Sequence, residues 1–239
     1  MFGALIAAIV AVAGGPNAPT AETPVVHVSG EHPEITSREK KGETLYACGD
    51  VFTEAKLPEG YPRPTPPGVV ELKYYPGIRR AEFSSDAPAG NMGRVGFMPL
   101  FRHISSRDIA MTAPVEMDKR EDGWTMSFLY EKTEDGPLED DGRVKVVDTQ
   151  PVIVLSLGVQ GANGFDEILP KADELTAWID ENDAWEQAGD IRTMGYNGPY
   201  IPRNRKWWEI QVPVRQVEAA DDAAQNVPEA AAGDASEEI

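Results

Sequence analysis

The segments IAMTAPVEM, residues 109–117, and WTMSFLYE, residues 124–131, decide the class of fold. In each segment apolar side chains occupy every second position, which is the period at which a β-strand turns its side chains to one face. The polar residues 118–123 between the two segments predict a turn. Pro114 has no N–H for a ladder hydrogen bond, so the first strand is predicted to be an edge strand or to be bulged there.

Upstream of these strands the periodicity changes to that of a helix. Phe97, Leu100, Phe101 and Ile104 follow helical spacing. Before the helix, residues 69–75 and 78–84 are rich in β-forming side chains, and the Pro76-Gly77 pair between them predicts a hairpin.

Downstream the same order of elements recurs. Residues 152–159 are almost entirely apolar, as expected for a strand covered on both faces. An apolar stripe then predicts a helix over 168–182, and residues 190–196 and 207–214 predict two more strands. The sequence therefore predicts an α+β fold with a curved, mostly antiparallel sheet and two helices.

Four regions follow from the composition. Residues 1–21 begin with an apolar run that ends in Ala11-Val12-Ala13 and resemble a secretory signal, so an exported, periplasmic or membrane-associated protein is expected. Residues 22–67 are predicted to be a Pro-rich extension or linker, with a short strand or docked segment near the buried Cys48. Residues 68–215 form the domain, and residues 216–239 are predicted to be a disordered acidic tail.

Charge and residue counts exclude several classes of function. Acidic residues outnumber Lys and Arg by 40 to 22, which gives a formal charge of −18 and argues against nucleic acid as a partner. The apolar N-terminal run is too short to span a bilayer, so no membrane span is expected beyond a possible N-terminal anchor. A single cysteine and three histidines disfavour an intrachain disulfide and a zinc site.

The chain resembles the SOUL haem-binding protein family. The resemblance covers about residues 69–214 and is carried by GFMPLFRHI at 96–104, by the IAMTAPV string that begins at 109, by WTMSFLYE at 124–131 and by YNGPYIPRNRKWWEIQVPV at 196–214. It implies a distorted, mostly antiparallel eight-strand barrel with two flanking helices, built as two similar halves. Bacterial effector-binding domains share this architecture, so the fold alone does not determine the function.

The resemblance implies haem, or a similar hydrophobic molecule, in a cleft beside the first helix. Phe97, Phe101 and Met111 are candidates for apolar contact with a flat ring, although a strand methionine is commonly a core residue. Arg102 and Arg107 are candidate partners of haem propionates, or form ordinary salt bridges. His103 lies at the boundary of the apolar stripe, where it is either a surface residue or an axial ligand of the haem iron.

The last strand provides a second candidate face. Trp208 alternates with Trp207 and Glu209, so Trp207 and Glu209 point away from the face of Trp208. Their face either contacts solvent or lines a cleft, and Glu209 in a cleft would have a raised pKa.

We find no nucleophile elbow, P-loop, dinucleotide fingerprint or metalloprotease motif in the sequence. No catalytic residue is therefore assigned, and a binding protein is favoured over an enzyme. Three hypotheses stay open: a tetrapyrrole carrier, buffer or sensor; a binding module for another small hydrophobic or cationic molecule; and a hydrolase that uses Glu209.

Overall fold

The computed structural model describes residues 24–86 and 95–217. Its strands are β1 (Val25–Ser29), β2 (Thr36–Lys40), β3 (Glu43–Cys48), β4 (Val51–Phe52), β5 (Val70–Tyr75), β6 (Arg79–Ser85), β7 (Val115–Arg120), β8 (Gly123–Leu129), β9 (Lys145–Asp148), β10 (Val152–Gln160), β11 (Trp185–Gln187), β12 (Arg192–Gly195) and β13 (Trp207–Gln216). Its α-helices are α1 (Phe97–Ser106), α2 (Phe165–Ile168) and α3 (Ala172–Asp180).

Eight of these strands come from two halves with the same order of elements. The first half is β5, β6, α1, β7 and β8, and the second is β9, β10, the α2–α3 pair, β12 and β13. Within the sheet the eight strands lie in the order β5-β10-β13-β12-β7-β8-β6-β9. β7 therefore pairs with its counterpart β12 at the centre, and the first strand of each half lies beside the second strand of the other half. The two similar halves predicted from the sequence are confirmed.

The hairpin predicted at Pro76-Gly77 is wrong. β5 pairs with β1 and β10, whereas β6 pairs with β8 and β9. Within the first half, the chain passes here from β5 near one end of the sheet to β6 near the other end, and it runs close to the equivalent connection after β9. A Cβ added to Gly77 would lie 2.5 Å from the carbonyl oxygen of Thr149, and the Ile78 N–H donates to Thr149 Oγ1 over 3.0 Å. The Pro76-Gly77 pair thus lies in a connection between two strands that do not pair with each other and not in a tight turn.

The sheet is open and does not close into the distorted eight-strand barrel that the resemblance implies. β1 pairs with β5, so the order of the described strands begins at β1 and ends at β9. β11 pairs with the C-terminal part of β13 and brings the sheet to ten strands. The predicted mostly antiparallel sheet with two flanking helical segments is otherwise confirmed.

Two predicted elements have different bounds in the structure. The strand predicted over 109–117 begins only at Val115. The two residues 112–113 form hydrogen bonds outside the strand ladder. Thr112 Oγ1 donates to the Leu129 carbonyl over 2.7 Å, and the Ala113 N–H donates to the Lys56 carbonyl over 2.9 Å. The helix predicted over 168–182 is divided by the 3₁₀ turn Leu169–Lys171, which contains Pro170.

The helices cover one face of the sheet, which we call the helical face. Leu100 and Ile104 of α1 and Leu175 and Ile179 of α3 are buried against it. The sheet side of this core includes Trp208, Ile210, Val212 and Val214, the alternating set predicted for the last strand. Each such side chain contributes roughly 1.5 to 3 kcal/mol when it leaves water.

The segment predicted as a linker, residues 22–67, contributes structure on the opposite face, which we call the polar face. β2, β3 and β4 form a separate three-stranded sheet, and β1 joins the edge of the main sheet. Cys48 and Val51 are buried in a second core with Trp207 and Met194. Residues 63–67 lie across β10 so closely that a Cβ added to Gly158 would be 2.0 Å from the Pro66 carbonyl oxygen. Proline suits this segment because the segment crosses the sheet and meets its ladder only through the isolated bridge of Pro67 with Gly158.

The proposed signal, residues 1–21, lies outside the described residues, and the export predicted from it stays a prediction. Of the proposed acidic tail only Gln216 and Val217 are described, and Gln216 is the last residue of β13. Within residues 24–86 and 95–217, none of the helices has the length and apolar character needed to cross a bilayer.

Glu209 attaches the N-terminal segment to the polar face. Its fully buried carboxylate accepts hydrogen bonds from Ser156 Oγ at 2.6 Å, from Tyr196 Oη at 2.7 Å and from the Thr65 N–H at 2.8 Å. Lys73 Nζ lies 3.2 Å away and is also fully buried. Burial alone would raise the pKa of Glu209, but the Lys73 charge and these hydrogen bonds lower it to about 2.

We expect Glu209→Gln to destabilise the protein by about 3 to 5 kcal/mol, because it leaves the Lys73 ammonium buried without its counter-ion. Urea unfolding followed by tryptophan fluorescence measures the loss. The matched control is Lys145→Met, which removes the exposed Lys145–Asp140 ion pair and should cost less than about 1 kcal/mol. Equal effects of the two variants would contradict a structural role for the buried pair.

The same pair predicts a specific dependence of stability on pH. The folded-state pKa of Glu209, about 2, lies below its ordinary value of 4.5. Its contribution is therefore fully present above about pH 4.5 and is lost as the pH falls towards 2. Glu209→Gln should flatten the stability profile in this window.

Candidate ligand-binding site

A cavity of about 660 Å³ lies on the helical face, between the start of α1, the start of α2 and the centre of the sheet. We call it the interhelical cavity. Its size falls within the range of small-molecule sites. Its lining includes four aromatic side chains, Phe97, Phe165, Tyr196 and Trp208, and three methionines, Met111, Met117 and Met126.

The two halves of the fold contribute equivalent aromatic walls. Phe97 is the first residue of α1 and Phe165 is the first residue of α2. Phe97 packs edge-on against Phe128, with ring centroids 5.0 Å apart. These contacts hold the Phe97 ring at the cavity in a defined orientation.

Trp208 forms the third wall, and the position of its indole ring requires a glycine beneath it. Its indole Nε1–H donates to the Ala162 carbonyl over 3.0 Å. Gly195 lies directly beneath the ring: an added Cβ would be 2.7 Å from Cζ3 of the indole. Any side chain at position 195 would therefore displace the indole.

Methionines line the strand side of the cavity. Met117 and Met126 are cross-strand neighbours on β7 and β8 and are buried, whereas Met111 is 38% exposed. Thioether side chains adapt to flat or irregular ligands and can ligate haem iron.

The charges that border the cavity are mostly acidic. Glu54, Asp166 and Glu167 line it together with one cation, Lys206. The Glu167 carboxylate pairs with Arg203 at 2.8 Å, and Glu54 accepts a hydrogen bond from the Gly198 N–H at 2.5 Å. Lys206 is buried, and among the described residues no carboxylate lies within 4.0 Å of its Nζ.

The structure brings two of the candidate residues on and after the first helix into the cavity. Phe97 and Met111 line it. Phe101 stacks on Phe97 at 5.9 Å between centroids but is 42% exposed and lies outside the lining. Arg102 is exposed on the outer side of α1. Arg107 pairs with Asp141 at 2.8 Å and does not reach the cavity.

His103 is buried on the core side of α1, away from the cavity. Its Nε2 lies 2.8 Å from Tyr130 Oη and its Nδ1 lies 3.2 Å from Asp141 Oδ2. Burial lowers the pKa of its imidazole. Both ring nitrogens thus have protein partners, which leaves neither for iron in this arrangement.

Trp207 and Glu209 point to the polar face, as the alternation of the last strand predicts. That face is neither solvent nor an open cleft at this point, because residues 63–67 cover it. Trp207 Nε1–H donates to the Thr65 carbonyl over 2.7 Å. The pKa of Glu209 is lowered to about 2 and not raised, because Lys73 lies beside it.

Sequence reasoning missed the contribution of the second half, above all Phe165, Trp208 and Lys206. A signal was present: the repeated order of elements implies that the first residue of the second helical segment occupies the same place as Phe97. Trp208 was assigned to the core face correctly, but its position above Gly195 depends on contacts that alternation alone does not reveal.

The residues of the cavity fit part of what haem requires. Aromatic and thioether side chains suit the flat macrocycle, and Met111, Met117 and Met126 are of a type that ligates iron. Lys206 is the one cation of the lining, so it can meet one of two propionates.

Comparison with solved structures shows the fold. The crystal structure of the EcmrR C-terminal domain has a TM-score of 0.51 and 13% identity, and the match covers 62% of this chain and 98% of that one. The cryo-EM structure of an EcmrR–DNA complex in EcmrR-RPo has a TM-score of 0.52 and 13% identity over 62% of this chain. The match covers 57% of that chain, so this chain spans little more than half of that protein's length. The fold is thus of the effector-binding-domain type.

Sequence comparison shows the family. No curated protein matches the chain closely enough to count as a relative. The family model described as SOUL heme-binding protein matches residues 64–213, which is well over half of the chain and includes every strand from β5 to β12 and most of β13. The chain therefore belongs to the SOUL heme-binding protein family.

Proposed function

We propose that the protein binds a flat hydrophobic molecule, a tetrapyrrole such as haem, non-covalently in the interhelical cavity and acts as a carrier, buffer or sensor. The observation that carries the proposal is the lining of this cavity by four aromatic rings, those of Phe97, Phe165, Tyr196 and Trp208, and by three methionines. Membership of a haem-binding family supports the same ligand class.

Apolar contact is the main source of affinity in this proposal. Phe97 and Phe165 face the ligand from the two halves, and Trp208 forms the wall between them. Burial of a large ring against such walls is favourable by about 25 cal/mol per Å² of apolar surface. The indole and phenyl rings are already held by their own contacts, so little side-chain entropy is lost on binding.

Polar contacts orient the ligand. The Lys206 ammonium pairs with one carboxylate of the tetrapyrrole, and the second carboxylate projects to solvent through the mouth of the cavity. When haem is bound, its iron supplies ligand exchange or redox chemistry. Methionine thioethers of the lining are the side chains suited to hold it there.

The acidic border favours a second candidate ligand, a lipophilic cation. Three carboxylates and one ammonium border the cavity, so its field attracts positive charge more than negative charge. The two candidates differ in the predicted effect of Lys206→Gln: it weakens binding of a dianionic tetrapyrrole and strengthens binding of an organic cation.

We expect haemin to bind the full chain saturably, with a shift of its Soret band, and Phe97→Ala to weaken binding about tenfold to a hundredfold by removing about 1.5 to 3 kcal/mol of apolar contact. Arg102→Ala on the same helix is the matched control and should leave affinity unchanged, because Arg102 is exposed outside the cavity. Saturable binding of tetraphenylphosphonium without binding of haemin would select the second candidate. Absence of binding by both probes would contradict the proposal.

The spectrum of bound haemin should not depend on His103. His103→Ala removes the buried contacts to Tyr130 and Asp141 and is expected to lower the melting temperature. At a temperature where the variant is folded, its bound haemin should show the same Soret and visible bands as the unmodified protein. A shifted Soret band at full saturation would place the imidazole on the iron.

Gly195→Ala should weaken haemin binding by about tenfold, or ~1.4 kcal/mol, because the new methyl group pushes the Trp208 indole into the cavity. Gly198→Ala is the control on the same side of the cavity, since its added Cβ would meet its nearest atom at an ordinary 3.5 Å. Equal affinities of the two variants, measured by tryptophan fluorescence quenching, would exclude Trp208 from the site.

A further inference from the structure

A second cavity, of about 360 Å³, lies on the polar face of the sheet. We call it the polar cavity. It is bordered by β6, β7 and β12, and its mouth includes the exposed residues Gln150 and Asp190. None of its lining residues borders the interhelical cavity.

The acidic groups of this cavity are unequally neutralised. Glu116 is fully buried and pairs with Arg80 and, at 3.5 Å, with Arg192. The nearest cation to Asp118 is Arg80, whose Nη2 lies 3.6 Å from the carboxylate. Burial and the Glu116 charge raise the pKa of Asp118 to about 7. Asp118 therefore lacks the full counter-charge that Glu116 has.

Arg192, in contrast, has an N–H group without a hydrogen-bond acceptor in the described part of the chain. Its side chain is 10% exposed and borders the cavity. Nε donates to Gln211 Oε1 over 2.9 Å and Nη1 donates to Glu116, but the buried Nη2 has no partner among the described residues. An unpartnered guanidinium N–H is costly unless an acceptor reaches it, and a carboxylate is the acceptor that fits it best.

The register of the sheet brings these two groups together. Arg192 on β12 lies directly opposite Asp118 on β7, and both side chains border the same cavity. A guanidinium N–H without a hydrogen-bond acceptor and a carboxylate with only a distant counter-ion thus lie on adjacent strands. Side chains directly opposite each other on antiparallel strands have Cβ atoms about 4.5–5.5 Å apart, a spacing that a molecule with a carboxylate and an ammonium on one carbon atom can bridge.

One part of the wall is aromatic and apolar. Tyr61 and Tyr75 pack edge to face with their centroids 4.9 Å apart, and Val152 and Pro213 lie on the same side. These uncharged side chains cannot form an ion pair with Arg192 or Asp118, but they can bury an apolar side chain of a ligand.

We propose that the polar cavity is a binding site for a free α-amino acid with an apolar side chain. The ligand carboxylate accepts from Arg192, its ammonium pairs with Asp118, and its side chain packs on Tyr61 and Tyr75. The interhelical cavity takes a different ligand on the other face of the sheet.

The test is calorimetric titration of the full chain with L-phenylalanine at pH 8. Two probes each lack one charged group: 3-phenylpropanoate has no ammonium and 2-phenylethylamine has no carboxylate. We expect L-phenylalanine to bind at least about tenfold more tightly than either. Asp118→Asn should reduce its affinity at least about tenfold and leave that of 3-phenylpropanoate unchanged. Asp122→Asn, on the same β7–β8 hairpin but exposed and outside the cavity, is the matched control.

A pH series gives an independent readout. The charged groups that face Asp118 are Glu116 on its own strand, Arg80 and Glu82 on β6, and Arg192 on β12. Because Asp118 must be ionised to hold the ammonium, affinity for L-phenylalanine should fall about tenfold between pH 8 and pH 6. The Asp118→Asn variant should lack this dependence.

Three results would overturn the proposal. The first is no saturable binding of L-phenylalanine at millimolar concentration. The second is binding that 2-phenylethylamine matches, which would leave the carboxylate without a role. The third is L-phenylalanine binding that is unchanged in Asp118→Asn and is lost when haemin is added. This result would place the amino acid in the interhelical cavity.

Discussion

The pairing of β7 with β12 at the centre of the sheet is the constraint on which both cavities depend. It joins the two halves through the register Val115↔Gly195, Glu116↔Met194, Met117↔Thr193 and Asp118↔Arg192. Because successive side chains of a strand point to opposite faces, this register sends Val115 and Met117 to the helical face and Glu116 and Asp118 to the polar face. A shift of one residue would exchange the two sets and destroy both sites.

The two faces of this central pair are closed by different parts of the chain. The helices of the two halves cover the helical face and leave an apolar space between their first turns, bordered by Phe97 and Phe165. The N-terminal segment covers the polar face and is held there by the buried Glu209–Lys73 pair. Such a pair adds little net stability, but it makes any other placement of this segment costly because a buried charge would then lose its partner.

Local patterns predicted the elements, and the repeated element order predicted the halves. The alternation of the last strand placed Trp208 opposite Trp207 and Glu209 correctly. What covers each face could not be predicted, because the contacts concerned are remote in sequence: Thr65 bonds Glu209, and Lys56 bonds the loop before β7. The helical angle of His103 predicted a position at the edge of the apolar stripe. In the structure the side chain is buried, with its ring nitrogens in contact with Tyr130 and Asp141. The prediction of a hairpin at Pro76-Gly77 was wrong because turn chemistry does not distinguish a tight turn from a connection that runs between the two ends of the sheet.

The methionines test directly whether the ligand lies between the two halves on the helical face. In protein labelled with ¹³C at the methionine methyl groups, metal-free protoporphyrin should shift the resonances of Met111, Met117 and Met126, which line the interhelical cavity. Met98, exposed on the outer side of α1, and Met194, buried in the polar-face core, should not move. A shift of Met194 with no change at Met117 and Met126 would contradict the account.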